Sequence, residues 1–446
     1  MWKWHILVHV CRRWRYVVFA SPSYLNLRLL CTSRTSVGNL SIWPAFPIIV
    51  DFHYHFHHHS HSHRRHVDNV ITALEHRDRV CDIRLSITSA ELEKIATATQ
   101  EPFPVLTSLR IVPSKSKEGS ELVLPAEFLG GSAPRLQHIC LHSISFPALP
   151  TLLLSTDLVS LELRDIPPIG YFSPEALVVG LAASPRLKVF IFGFQFDTSR
   201  PRRICLPPET RTVLPTLTTF RFRGGSEYLE DFVARIDSPQ LKGIGIYYLN
   251  QLADFQAAQL AKFIDRSVSP KSVLFRHVSV AFFPEQVTLD AVRHPSHPSE
   301  PKLQSATSVL CEGIDWQVSH MAQVLSQFSA TLSNVVHLNL NTSPKEYRQP
   351  EDTDVEWVHL LHQFSTAQTL HVSRGIAGPV ALALESIVGQ MLIAEVLPSL
   401  ELIYMEGQPA STVGKFVAAR QLADLPVTVV DTEEEFDEKI KSYASE

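Results

Sequence analysis

From Pro104 onward the chain repeats one short arrangement of apolar and polar positions: an apolar anchor, two variable residues, then two apolar residues separated by one. It reads L-x-x-L-x-L. The clearest copies are Leu106/Leu109/Ile111, Leu136/Ile139/Leu141, Leu158/Leu161/Leu163, Leu187/Phe190/Phe192, Leu217/Phe220/Phe222 and Leu241/Ile244/Ile246. Looser copies follow at Phe275/Val278/Val280, Ala306/Val309/Cys311, Val335/Leu338/Leu340, Ala367/Leu370/Val372 and Leu400/Ile403/Met405, and a weaker one, Val80/Ile83/Leu85, precedes them all. The alternation predicts a short strand with one face in a core. Pro104, Pro134, Pro185, Pro215 and Pro239 stand two residues ahead of an anchor, where they punctuate the start of the strand. Between anchors the spacing turns helical. Ser173-Pro174-Glu175 predicts an N-cap with proline at the first helical position, and Thr88 with Glu91 fits a capping box. Further helices are expected over 226–236, 252–266, 315–329, 354–365 and 411–424, and the apolar stretch Gly378 to Leu397 reads as a buried helix.

Successive anchors from Leu106 lie 22 to 34 residues apart, by subtraction of their positions, against about 20 to 29 for leucine-rich repeats. A strand-plus-helix unit of that length returns the chain to start a parallel strand beside the last. The expectation is an α/β leucine-rich-repeat solenoid, with parallel strands on a concave face and helices and loops outside. An ordinary doubly wound α/β domain also alternates strands and helices; the recurring proline lead-in favours the solenoid. The pattern divides the chain into a helical segment over 1–24, a linker and first cap over 25–79, repeats over 80–425, and a C-terminal cap and acidic tail over 426–446.

In this frame the residues two, four and six after each anchor point away from the core. They are Arg110, His138, His142, Glu162, Arg164, Arg221, Arg223, Tyr247, His337, Asn339, Asn341, His371, Tyr404 and Glu406. Arg, Tyr, His and Asn are residue types that anchor protein interfaces through planar hydrogen bonding and rigid area. The strand face is therefore expected to bind another protein.

Composition narrows the rest. The 446 residues are 45% hydrophobic and 19% charged with a formal net charge of -5, enough to bury a long core and no electrostatic case for nucleic acid or an anionic membrane. Six cysteines lie far apart without a C-x-x-C pair, so neither zinc nor a disulfide framework is indicated. His5 to Val10 is too short for a secretory apolar core and is followed by Arg12, Arg13 and Arg15, which predicts a cytoplasmic or nuclear protein. The motifs of phosphate loops, dinucleotide folds, zinc proteases and nucleophile elbows are absent from the sequence. Gly130-Gly131-Ser132 reads as a turn. No catalytic residue and no cofactor is expected.

The run from Asp51 to His66 holds eight of the 21 histidines. If extended, Asp51, His53, His55 and His57 share a face that could bring imidazoles and a carboxylate to one metal ion. His-rich tracts more commonly form loops without supporting hydrogen bonds, and no metal site is assigned. The acidic run Asp431 to Glu438 predicts a terminal helix that begins with carboxylates.

The N-terminal segment carries a resemblance. Leu7-Val8-His9-Val10-Cys11-Arg12-Arg13-Trp14-Arg15, then Val17-Val18-Phe19 and Ser21-Pro22, resembles the second half of an F-box. Leu25 to Thr32, Ile42 to Pro47, Leu124 to Pro134 and Tyr228-Leu229-Glu230-Asp231 are similar to segments of a large family of F-box-like leucine-rich-repeat proteins of mushroom-forming fungi. That resemblance implies a substrate-recognition subunit of an SCF-type (Skp1-cullin-F-box) ubiquitin ligase. A Skp1-type linker would dock on Leu7, Val10, Cys11, Trp14, Val17 and Phe19, and the repeats would hold a protein substrate. Met1-Trp2-Lys3-Trp4 stands where the family has a Leu-Pro-x-Glu segment and a first helix, so the F-box is expected to be truncated. A scaffold that recruits no ligase is the alternative, with the same helix serving as a cap for the repeats.

Overall fold

The computed structural model describes residues 10–20, 27–32, 44–52, 67–114, 122–125, 127–146, 157–196, 210–249, 257–267, 275–283, 286–292, 304–310, 314–328, 332–342 and 354–443. The chain divides into two compact units, Met1–Phe196 and Asp197–Glu446.

The first unit holds β1 (Leu29–Thr32), β2 (Ile48–Phe52), β3 (Val80–Ile87), β4 (Ser108–Pro113), β5 (Leu122–Val123), β6 (His138–His142), β7 (Ile144–Ser145), β8 (Ser160–Ile166) and β9 (Val189–Phe194). Its helices are α1 (Arg12–Ala20), α2 (Val67–Leu74), α3 (Ser89–Ala98) and α4 (Pro174–Ala182). Strands β1, β2, β3, β4, β6, β8 and β9 lie side by side and are parallel throughout. The short β5 and β7 pair separately.

Each copy of the pattern becomes one rung. The anchor is buried and the two apolar residues after it fill the core: Leu106, Leu109 and Ile111 are all at most 1% exposed, as are Leu158, Leu161 and Leu163. Burying such side chains stabilises by roughly 1.5–3 kcal/mol each before chain entropy is counted. The residue after the anchor donates its N–H to the equivalent residue one rung back: Thr107 to Cys81, Gln137 to Thr107, Val159 to Gln137 and Lys188 to Val159, at 2.8–2.9 Å. The proline lead-in has a geometric reason. The anchor N–H closes a turn onto the carbonyl three residues earlier, as in Leu106 to Phe103, Leu136 to Ala133 and Leu187 to Ser184, which puts proline second in the turn, where its fixed φ fits.

The helix signals hold. Thr88 and Glu91 form the expected capping box on α3, and Ser173 caps α4 with Pro174 following. Gly130 sits at φ 58°, and a Cβ there would come within 2.6 Å of the Glu101 and Pro102 backbone, so only glycine fits that turn. One expectation is corrected: the stretch taken as linker and cap over 25–79 already contains β1, β2 and α2, and the ladder starts at Leu29. The cause is that Ile48, Val50 and Phe52 alternate inward without the leucine anchor that marks the later rungs. Asp51 lies in β2; His53 to His66 lie outside the described residues.

The second unit holds β10 (Thr212–Val213), β11 (Thr219–Gly224), β12 (Ile236–Asp237), β13 (Gly243–Leu249), β14 (His277–Phe283), β15 (Gln286–Val292), β16 (Gln304–Leu310), β17 (His337–Thr342), β18 (Thr369–Val372), β19 (Leu402–Met405) and β20 (Thr428–Val430). Its helices are α5 (Ser226–Val233), α6 (Ala258–Ser267), α7 (Ile314–Gln327), α8 (Asp354–His362), α9 (Ala377–Gly389), α10 (Gly414–Leu422) and α11 (Glu433–Tyr443). The core lies between strands and helices, with Phe220 of β11 against Phe232 of α5 and Phe263 of α6, and Phe282 of β14 against Trp357 of α8.

Here the order departs from a simple succession. It runs β11-β13-β16-β15-β14-β17-β18-β19-β20, and β15 is antiparallel to both neighbours. The copies at Phe275 and Ala306 are therefore not adjacent parallel rungs: β16 takes the place beside β13, and β14 stands beside β17. Phe283 and Gln286 are paired antiparallel, so β14 is followed directly by its antiparallel partner β15. The ladder also continues past 425, because β20 pairs parallel with β19.

Helix α9 ends at Gly389, not at Leu397. The turns that follow are held by Arg420 of α10, 1% exposed, whose guanidinium donates to the carbonyls of Leu397 and Leu400 at 3.0 Å and of Pro398 at 3.0 Å. Its Nε donates to Leu425 O at 3.1 Å. Helix propensity in 390–397 loses to a side chain that satisfies those carbonyls in a different geometry.

Candidate functional site

Alternation in the strands leaves a second face that the core does not use. In the first unit, parallel register lines its residues into a row: Asp51 of β2 beside Arg84 of β3, then Arg110 of β4, Cys140 of β6 and Glu162 of β8. A second row places Asp82, Ser108, His138 and Ser160 side by side. Together these rows line an open groove of about 460 Å³ bounded by Asp51, Arg84, Arg110, His138, Cys140, Ser160 and Glu162.

The charges in the groove are mostly paired within the unit. Arg84 donates to the carboxylate of Asp82, which is 4% exposed and has its other oxygen, Oδ1, buried without a hydrogen bond. That contact raises the Arg84 pKa above its ordinary value. Arg164 places Nε and Nη2 at 3.1 and 2.8 Å from Glu162 Oε2. The Cys140 thiol lies 3.9 Å from the same oxygen; burial first, and the Glu162 charge second, push its pKa up, which keeps it protonated and a poor nucleophile. His142 pairs with Asp165. Arg110 is different. Exposed between Arg84 and Cys140, it makes no ion pair or hydrogen bond among the described residues.

The sequence-predicted positions thus separate into groups. Arg110, His138 and Glu162 line the groove, with His142 and Arg164 at its border. In the second unit Arg221, Arg223 and Tyr247 come together on β11 and β13: the Arg223 guanidinium stands 5.3 Å over the Tyr247 ring, and the Arg221 stem lies across Gly245. Strands β16 and β15 separate this cluster from the next, since Tyr247 registers with Ser308, Thr288, Ala281 and then Asn341. There His337 stacks on His277 at 4.2 Å and bonds Thr369 through Nδ1 at 2.8 Å, while Asn341 donates to Ser279 Oγ at 2.9 Å. Asn339 lies between them in register with Ser279 and His371.

Tyr404 is corrected as an outward-facing residue, and His371 and Glu406 have neighbours within the unit. Tyr404 is 6% exposed, and it and His371 are covered by Phe436 of α11, with ring centroids 5.6 and 5.5 Å away. Burial lowers the His371 pKa, against the opposing charges of Glu433, Glu406 and Asp437. Glu406 is engaged locally, accepting from the Arg374 N–H at 3.1 Å. The C-terminal helix therefore occupies the end of the strand face. Its acidic start is capped by Thr432 Oγ1, which accepts from the Glu435 N–H.

Asp51, Arg84, Ser108, Cys140 and Ser160 were missed as groove residues. The signal for Arg84 was present, four residues after the weak anchor Val80, and Cys140 stands four after Leu136. At the N-terminus, Val18 is the buried residue of α1, and Phe19 packs on Phe46 at 5.6 Å. Trp14 and Val17, with Val10 just ahead of the helix, are 50%, 49% and 61% exposed, and Cys11 is exposed as well. Leu7 lies outside the described residues. Among the described residues no cluster of His, Cys, Asp and Glu could hold a metal ion, and no helix is long and apolar enough to cross a membrane.

No protein-family model matches the chain, and no curated protein matches it. Among solved structures it is similar to the leucine-rich repeat-containing protein LegL7 from Legionella pneumophila, at 14% identity over 90% of this chain and 99% of that one, with a TM-score of 0.28. A likeness that low adds nothing to the geometry described above.

Proposed function

We propose that both units are stretches of leucine-rich-repeat solenoid and that the protein is a non-catalytic interaction scaffold, its partner a protein held on the strand face of the first unit. The observation that carries this reading is the groove over β2, β3, β4, β6 and β8, where register gathers polar and charged side chains that the core does not need. A row of parallel strands offers a rigid frame on which such side chains can be held for a partner at little entropic cost. Burial keeps Cys140 protonated, and the carboxylates of Asp82 and Glu162 are tied to arginines, which suits holding a partner better than activating a nucleophile.

The reading is tested by a photocrosslinking residue placed at His138 in the groove and, as control, at Val179, 74% exposed on α4. A protein adduct formed from His138 and not from Val179 is expected. Equal labelling from both positions counts against the groove. Charge reversal at Arg221 and Arg223 should leave that adduct in place, because those side chains belong to the other unit's face.

A second reading, a substrate-recognition subunit of an SCF-type ubiquitin ligase, is favoured by the exposed Val10, Trp14 and Val17, an apolar set that a partner helix could bury. Co-purification of the full chain with a Skp1-type linker tests it. Clean absence, under conditions that capture an intact F-box, sinks it and leaves the scaffold.

A further inference from the structure

The groove of the first unit is nearly self-neutralised, and its one exception sets what it can hold. Among the lining residues Asp51 and Glu162 carry negative charge and Arg84 and Arg110 positive charge. Asp82 already engages Arg84, and Arg164 already engages Glu162. Arg110 alone among these arginines has no carboxylate within ion-pair distance among the described residues, and it lies in register between Arg84 and Cys140. Its strand is about 4.8 Å from that of Arg84, close enough for one ligand group to meet both guanidiniums. A guanidinium presents planar paired donors that match a carboxylate.

Resting on the reading of this groove as the partner-binding surface, we propose that it recognises an extended protein segment through one Asp or Glu side chain, anchored by Arg110. A carboxylate fits better than a phosphate. One unpaired guanidinium matches a single negative charge, whereas a dianion would also face Asp51 and Glu162. His138 and Ser160, in the neighbouring row on β6 and β8, offer hydrogen-bonding groups for the segment's backbone.

The test selects a displayed random dodecapeptide library on the full-length protein and measures the winning peptide by titration. Enriched peptides share one Asp or Glu, and changing it to the amide, or making Arg110→Gln, weakens binding at least about tenfold. The two changes together cost little more than either alone, which marks them as one interaction. Ser160→Tyr, which fills the groove, removes binding whatever the anchor. Peptides lost on Ser160→Tyr but indifferent to Arg110→Gln, or enriched without an acid, overturn the proposal and leave the groove as the binding surface. Peptides indifferent to both substitutions, or no enrichment at all, overturn the surface as well. Circular dichroism of both variants, matching wild type, excludes misfolding as the cause of a loss.

Discussion

Arg420 shows how one residue can hold a region that its local sequence describes poorly. It is fully buried, yet it pairs with no carboxylate among the described residues; carbonyls from the turns after α9 and from Leu425 take its hydrogen bonds. Such bonds to a charged donor contribute about 1.5–3 kcal/mol each in mutational series, and stranding several carbonyls costs more than one. Arg420→Met keeps an apolar stem of similar length but removes every donor and the guanidinium that stands 5.7 Å over the Phe416 ring. We expect this variant to lose about 3 kcal/mol or more in urea denaturation, and Arg420→Lys to recover only part of it because an ammonium cannot span those carbonyls. A loss below about 1 kcal/mol would mean that water replaces the guanidinium.

Among the elements, α11 has the clearest consequence. It covers the face of the last strands through Phe436, which is buried with Leu402, Tyr404 and Val430. The same packing lowers the His371 pKa by burial while Glu433, Glu406 and Asp437 oppose it. Since the docked state holds His371 below its ordinary value near 6.5, the undocked state takes the proton first as pH falls. Docking of α11 is therefore strongest above about pH 6.5 and weakens as pH drops through the lowered value. Hydrogen exchange across α11 should speed up between about pH 7 and 5, relative to its intrinsic rate, and His371→Gln should abolish that added dependence. Phe436→Ala should expose Tyr404 and bring the His371 titration, followed by NMR, back toward the ordinary value. An unchanged titration would place the cause of the shift elsewhere.

On the scale of the whole molecule, what the ladder imposes is locality. In the first unit each strand pairs with its neighbours in the row, so under the proposed repeat reading its stability is a sum of rungs and rung interfaces. Leu163→Ala in β8, at a position 1% exposed, should cost about 3 kcal/mol. Its effect on hydrogen exchange should be largest in β6, β8 and β9 and should fade along the first unit toward β1. Uniform loss of protection over all the rungs would show instead that the unit unfolds as one block. The hairpin β14-β15 is the place where the second unit departs from this simple succession.

The pattern of apolar positions determined by itself the rungs that carry an anchor, because an inward alternation with a proline turn before it has one low-energy use, a short strand on a core; β1, β2 and β20, which lack the anchor, escaped it. The core residues of β4, β6, β8, β11 and β17 were legible for that reason, and so were the caps of α3 and α4. Which rung stands beside which is a matter of hydrogen bonds between distant segments, and β16 beside β13 leaves no local trace. The same holds for the outward residues. Their direction followed from the period of two, but register decided that Asp51, Arg84, Arg110 and Glu162 form one row, and the return of α11 decided that Tyr404 is buried. Only the tertiary structure could distinguish an outward side chain that already has a partner from Arg110, because the pairing runs between charges brought together by folding.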